Sequence, residues 1–239
     1  EKAGAKILPF AQWSPIRALI LSPGIPLTHP KPHDVVLAAR AMGAEIIGDI
    51  ELFAREIRPD AAKPGRAPVI AITGTNGKTT TTALIGHILS ANGFVTEMGG
   101  NIGKAVLDLA PPNGKTVYVL EVSSYQIDLS PGLVPDVAVL TNITPDHIDR
   151  HGSMENYIAV KARLLAQTAK DGLIAIGVDD SHSASIHTRL SSNGGAEAVP
   201  VSIGKVLGRG IFVLDGALYD AQGQRAAKVM DLSTAAHLP

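Results

Sequence analysis

The chain has 239 residues, 45% hydrophobic and 18% charged, an ordinary soluble globular composition whose length suits one large domain or one and a half at ~150 residues each. Lys and Arg number 21 against 22 Asp and Glu, giving a net charge of -1, and no segment has the basic excess that holds a nucleic-acid backbone or an anionic membrane surface. Cysteine is absent, which excludes a disulfide framework and a thiolate zinc site, agrees with a cytoplasmic protein, and leaves any metal to oxygen or nitrogen ligands.

The chain opens on Glu1-Lys2-Ala3-Gly4, without an initiator Met or a basic-then-apolar signal pattern, and no apolar run approaches the ~18 residues of a membrane span. Arg17 to Leu21 reads as a strand, followed by a Ser22-Pro23-Gly24 turn, a helix near Asp34 to Met42, a strand Glu45 to Ile47 and a short helix through Glu51-Leu52-Phe53. Two parallel strands do not make a domain, so the front of a nucleotide-type α/β domain is expected to be missing. Ala61 to Pro68 is small, polar and rich in Pro and Gly, which is linker composition, and a domain boundary falls there, dividing the chain into 1-65 and 66-239.

Beyond the linker, Val69 to Thr73 predicts a strand, and Thr79 to Ala91 a helix closed by Asn92-Gly93. Continuous apolar runs at Thr116 to Val122, Asp136 to Leu140 and Leu173 to Val178, with a helix from Met154 to Lys170 between the last two, predict a mainly parallel sheet buried on both faces. Ile211 to Leu214 and Ala217 to Tyr219 flank Asp215-Gly216, which predicts an antiparallel hairpin at the sheet edge. The fold class is therefore α/β: a partial Rossmann-like segment, then a P-loop ATPase-type domain.

Gly74-Thr75-Asn76-Gly77-Lys78-Thr79, continued by Thr80, lies between the predicted strand and helix, where backbone N–H groups and a helix N-terminus point at an anion. Glycines let the chain approach phosphates, Lys78 supplies positive charge to the β and γ oxygens, and the Thr79 hydroxyl can ligate Mg²⁺. The spacing is shorter than the usual phosphate loop, since Ile72 stands where its first Gly belongs. ATP is favoured over GTP, because no Asn-Lys-x-Asp base-reading motif is found.

Glu121 ends an apolar run and should stand at the carboxyl edge of a strand, where a carboxylate suits Mg²⁺ or is simply solvated. His147, in the polar stretch Thr141 to His151, is a candidate metal or substrate ligand, or an ordinary structural or exposed histidine. Lys161 shares a helical face with Tyr157, Leu164, Leu165 and Thr168, so its ammonium is aimed inward. Snorkelling or an ion pair explains that placement. The alternative is a desolvated neutral amine that takes up CO₂ and, as a carbamate, helps hold a second Mg²⁺.

Together these residues resemble the Mur ligases, the ATP-dependent amide-bond-forming enzymes of peptidoglycan precursor synthesis. The carriers are Ser22-Pro23-Gly24-Ile25, Gly48 to Phe53, Thr73 to Thr80, Gly99 to Gly103, Leu120 to Gln126, Thr141 to Arg150, and Tyr157 with Lys161, spanning nearly the whole chain. Ser123-Ser124-Tyr125-Gln126 and the front Ser-Pro-Gly-Ile are closest to the D-glutamate-adding branch. The resemblance implies that Gly74 to Thr80 bind ATP, that Thr79 and Glu121 support one Mg²⁺, and that His147 and carbamylated Lys161 support a second. It also implies that Asn101, Ser123 and His147 touch the substrate UDP-N-acetylmuramoyl-L-alanine, with Ser22, Pro23 and Gly24 near its diphosphate. Lys78, His147 and Lys161 would then be catalytic, D-glutamate the incoming amine, and the cytoplasmic monomer a servant of cell-wall biogenesis, cell shape and division. On that pattern 1-65 is the end of the UDP-substrate domain, 66-239 is the ATP-binding domain, a third, glutamate-ligase domain is absent, and this chain alone is expected to be nearly inactive. The rivals are another Mur ligase, folylpolyglutamate synthase, or a non-catalytic ATP-binding module.

Overall fold

The computed structural model describes residues 8–9, 12–57, 67–112, 115–192 and 194–235. The linker residues 61–66, and with them the expected boundary, lie outside the described residues.

The front segment runs β1 (Ala18–Ile20), α1 (Asp34–Ala41), β2 (Glu45–Ile47) and α2 (Asp49–Ile57), with β1 and β2 parallel. Helix α1 starts where the His33 ring accepts from the Val35 N–H, satisfying one of the amides a helix start leaves unpaired. The apolar face of α2 does not stay with this small sheet. Ile50, Phe53, Ala54 and Ile57 enter the core beneath the main sheet, where Phe53 meets Tyr118 edge-to-face at 5.0 Å. Burying a ring such as Phe53 contributes about 1.5–3 kcal/mol, enough to dock this helix firmly. The buried Glu51 carboxylate adds a hydrogen bond from the Gly132 N–H at 2.6 Å.

The main sheet follows as β3 (Val69–Thr73), α3 (Lys78–Ala91), β4 (Val95–Gly100), β5 (Thr116–Glu121), α4 (Ser124–Asp128), β6 (Val137–Leu140), α5 (Ile148–His151), α6 (Met154–Ala166), β7 (Leu173–Gly177), α7 (Ser181–Ser192), β8 (Glu197–Ser202), β9 (Ile211–Leu214), β10 (Ala217–Asp220) and β11 (Ala227–Asp231). The nine strands are ordered β11-β10-β9-β8-β7-β6-β3-β5-β4, parallel from β4 to β9 and antiparallel across β9, β10 and β11. Every residue of β5 is buried, as expected for a strand covered on both faces. The β9–β10 turn has Asp215 and Gly216 at φ 48° and 71°, the left-handed pair that a tight hairpin needs.

The fold class and the parallel sheet with its antiparallel edge are those expected. Strands β4, β8 and β11 and helix α7 were not anticipated. Helix α6 ends at Ala166, short of Lys170, because Gln167 caps it and the chain tightens through Thr168 N–H to Leu165 O. Strand β3 lies between β5 and β6, so the loops after β3, β5 and β6 share one edge of the sheet.

Candidate active site at the phosphate loop

Strand β3 delivers Gly74 to Gly77 into the N-terminus of α3, whose first turn contains no acidic residue and no side-chain cap. Unpaired amides and the helix dipole therefore remain open to an anion. The loop is held from the β6 side. Thr75 N–H donates to Asn142 O at 2.9 Å, Asn76 N–H to Asn142 Oδ1 at 3.0 Å, and the Thr141 hydroxyl to Asn76 O at 2.7 Å. Gly74 has φ 146°, and a Cβ there would lie 1.9 Å from Thr141 Oγ1, so only glycine fits. Lys78 Nζ donates to Thr75 O at 2.9 Å, folded over the loop it is expected to serve.

At the next strand end, Glu121 is 1% exposed and accepts from Thr79 Oγ1 at 2.9 Å and from Asn101 Nδ2 at 2.8 Å. Gly100, at φ 104°, lets β4 come close, since a Cβ would stand 2.3 Å from Glu121 O. These partners are neutral donors, and a buried carboxylate so placed suits a cation. Thr79, Asn101 and Glu121, 42 residues apart at the extremes of the Thr79–Glu121 bond, are thus brought together.

Lys161 is 2% exposed, inside the sheet edge rather than snorkelling. Its Nζ donates to Gly74 O at 2.8 Å and lies 4.7 Å from the Tyr157 ring centroid. Burial pushes its pKa down to about 7, the nearby Lys78 charge pushes the same way, and Asp146 opposes both. The Tyr157 hydroxyl, 3.0 Å from Thr75 Oγ1, joins this helix to the phosphate loop again.

His147 stands apart. It is non-glycine at φ 52°, with its side chain 48% exposed, 3.4 Å from Asp146 Oδ2 and 4.9 Å from the Tyr125 ring. It makes no hydrogen bond to Glu121 or Lys161, and among the described residues no cluster of three His, Cys, Asp or Glu forms. Ser123 caps α4 in a reciprocal box with Gln126, so its hydroxyl is engaged in holding the helix start. Ser22, Pro23 and Gly24 follow β1, and Arg150 donates to Gly24 O and Pro23 O at 3.1 and 3.3 Å.

Several participants were not singled out from sequence. Asn142 and Thr141 brace the loop, Asp180 accepts from the Ile143 N–H at 3.1 Å, and Tyr125, Arg150 and His151 form a stacked group. Asparagine directly after an apolar strand was the available signal for the first of these. A cavity of about 440 Å³, lined among others by Thr141, Asn142, Asp180 and Ser202, opens at the carboxyl ends of β6 to β8 beside the loop.

A parallel sheet with a glycine loop leading into an uncapped helix, and a buried carboxylate one strand away, defines a P-loop ATPase-type α/β domain. Residues 72–225 match the Mur ligase middle domain, and the chain belongs to the Mur ligase family. The UDP-N-acetylmuramoylalanine-D-glutamate ligase of Caulobacter vibrioides (strain NA1000 / CB15N) is 51% identical over 232 residues, 97% of this chain and 49% of that protein. Its counterpart in Phenylobacterium zucineum (strain HLK1) is 52% identical over 229 residues, 96% of this chain and 49% of the relative. The chain therefore spans about half the length of the curated relatives it matches. Among solved structures, a UDP-N-acetylmuramoyl-L-alanyl-D-glutamate-2,6-diaminopimelate ligase matches with TM-score 0.57 at 23% identity, over 82% of this chain and 49% of that one. The MurF ligase from Thermotoga maritima in complex with ADP matches with TM-score 0.52 at 19% identity, over 82% and 52%. These two likenesses show the fold.

Proposed function

We propose that this chain carries the ATP-binding domain, and the end of the UDP-substrate domain, of a cytoplasmic, monomeric ligase that adds D-glutamate to UDP-N-acetylmuramoyl-L-alanine. The observation that carries the ATP-site reading is the 2.9 Å bond between Thr79 and the buried Glu121, on the same sheet edge as Lys161 on Gly74 O. The choice of D-glutamate rests on the half-identical ligases that bear that name. Residues 1–65 would contribute to the UDP-substrate side and 66–239 to the ATP side, with α2 of the first part packed beneath the main sheet of the second.

A carboxylate is a poor electrophile, so it must be activated. An oxygen of the L-alanyl carboxylate attacks the γ-phosphorus of ATP and ADP leaves, giving an acyl phosphate. The D-glutamate amine then attacks the carbonyl carbon, phosphate departs and the nitrogen loses a proton. The loop Gly74 to Thr80 binds the phosphates in this reading, through the amides that Asn142 does not already hold, and Lys78 neutralises charge as the two anions approach. The β6–β8 cavity has room for the nucleoside. Thr79 and Glu121 would hold one Mg²⁺, and His147 with carbamylated Lys161 a second; the ions supply charge neutralisation on the triphosphate. Carbamylation joins the neutral Lys161 nitrogen to the carbon of CO₂ with loss of one proton. Asn101, Ser123, His147 and the Ser22–Gly24 turn remain the proposed substrate contacts, and His147 reaches them only if its exposed ring turns inward.

Phosphate release by the full-length protein, with UDP-N-acetylmuramoyl-L-alanine and D-glutamate, meso-diaminopimelate, L-alanine or L-glutamate in turn, tests the reading. Stimulation by D-glutamate is expected; stimulation by another amino acid alone would overturn it. Folylpolyglutamate synthase would require a folate acceptor. A non-catalytic ATP module would survive alanine at Glu121 or Lys161, where large losses of turnover are expected. Bicarbonate labelled with carbon-13 should give a carbamate resonance that Lys161→Met abolishes.

A further inference from the structure

The Ser22-Pro23-Gly24 turn occupies for β1 the position the phosphate loop occupies for β3, at the carboxyl end of a parallel strand, where open α/β sheets receive ligands. Its conformation is set from outside the front segment. Arg150, on helix α5 after β6, donates through Nη2 to Pro23 O at 3.3 Å and through Nη1 to Gly24 O at 3.1 Å. The guanidinium is itself placed, 4.7 Å from the Tyr125 ring centroid. Tyr125 stacks on His151 at 5.5 Å, and the buried His151 Nε2 is 2.9 Å from Ser124 Oγ. Nearby, His29 packs against Gly152 so closely that a Cβ there would lie 2.5 Å from His29 Nε2.

Peptide planarity turns this contact into a functional one. In a trans peptide the carbonyl and the following N–H point in opposite directions. Drawing Pro23 O toward Arg150 therefore turns the Gly24 N–H away from it. Ile25 N–H is spent on Ser22 O at 2.9 Å, whereas the exposed Gly24 N–H has no hydrogen-bond partner among the described residues. The result is an outward amide beside the Ser22 hydroxyl, with a guanidinium behind it, which is an arrangement that suits phosphate oxygens.

We propose that Arg150 is a positioning residue that orients the Ser22–Gly24 turn to receive the diphosphate of a nucleoside-diphosphate sugar, leaving ATP binding to the separate β3 loop. This rests on the function proposed above. Arg150→Met and Arg150→Lys in the full-length protein would be compared with wild type by calorimetric titration with UDP-N-acetylmuramoyl-L-alanine and by steady-state kinetics. Loss of the fork in Arg150→Met should weaken binding of the UDP compound about 10-fold or more, with KM for ATP and kcat at saturation within about twofold. Arg150→Lys should fall between, since one ammonium keeps the charge without serving both carbonyls. Unchanged affinity in both variants, or equal rises in KM for ATP and the UDP compound, would overturn the inference while leaving the ligase reading intact. Failure of the wild-type protein to bind the UDP compound would sink that reading, and this one with it.

Discussion

Gly74→Ala is the sharpest test of the loop geometry. An added Cβ would lie 1.9 Å from Thr141 Oγ1 and 3.2 Å from Asn142 O, at a φ of 146° that side chains rarely adopt. Backbone strain of this kind costs about 1–3 kcal/mol. Rotating Thr141 away forfeits its 2.7 Å bond to Asn76 O, another ~0.5–1.5 kcal/mol. The sum, roughly 1.5–4.5 kcal/mol, is below the ~5–15 kcal/mol of a typical domain, so the protein should still fold. The loop should relax instead, and nucleotide affinity should fall roughly 10- to 1,600-fold at ~1.4 kcal/mol per decade. A fluorescent ATP analogue titration would read the loss, alongside a thermal melt. Thr141→Ala in the same chain should return part of it, so the double variant should cost less than the sum of the singles by about 1 kcal/mol. Wild-type affinity in Gly74→Ala, or strict additivity with Thr141→Ala, would refute the reasoning.

Three other outcomes follow from the same geometry. Lys161 has a folded pKa near 7, below its unfolded value, so the unfolded chain binds more protons between about pH 7 and 10.4 and stability should rise with pH across that window. Urea unfolding in metal-free, CO₂-free buffer should show that rise in wild type, with a slope of up to ~1.4 kcal/mol per pH unit, and not in Lys161→Met. Glu121→Gln removes the charge while its oxygen keeps the Asn101 contact and its NH2 meets Thr79 by a reversed bond, donating to the hydroxyl oxygen, so the Mg²⁺ concentration that half-saturates nucleotide binding should rise about 10- to 100-fold without a large change in melting temperature. Glu51→Ala should leave the Gly132 N–H without its acceptor and lower unfolding free energy by ~1–3 kcal/mol, measured by urea denaturation. An unchanged midpoint would mean that α2 is held by apolar packing alone.

What could be read from sequence was what neighbours in the chain determine. Val69 to Thr73 and Gly74 to Thr79 form a strand, a loop and a helix start within a few residues, and composition alone specifies them. Asp215-Gly216 likewise declares its turn. Strand β4 escaped notice because Val95-Thr96-Glu97-Met98-Gly99-Gly100 lacks a continuous apolar run; it is an edge strand, and its glycines serve close approach to Glu121. Helix α7 is rich in serine and only Ser183 and Ile186 are buried, so little apolar periodicity marks it. Strand β11 is exposed throughout and pairs only with β10. The spacing of Tyr157, Lys161, Leu164, Leu165 and Thr168 placed that amine inside correctly, but nothing local to it named Gly74 O as its partner, 87 residues away.

That distant partner links the loop to the chemistry proposed for Lys161. Gly74 can present its carbonyl to Nζ because its φ of 146° is open to glycine, and the same conformation hands the Thr75 and Asn76 amides to Asn142, leaving the amides at the start of α3 for phosphate. A neutral amine has two N–H groups, and the carbamate proposed here keeps one of them. The bond to Gly74 O can therefore persist through carbamylation while the opposite side of the nitrogen acquires an anionic group. Loop shape and modification state need not compete, which separates this arrangement from an ordinary buried ion pair, where gaining a negative charge would expel the partner. An alanine at 74 should accordingly disturb both: nucleotide affinity through the shifted helix-start amides, and the carbamate resonance of Lys161 through the displaced carbonyl.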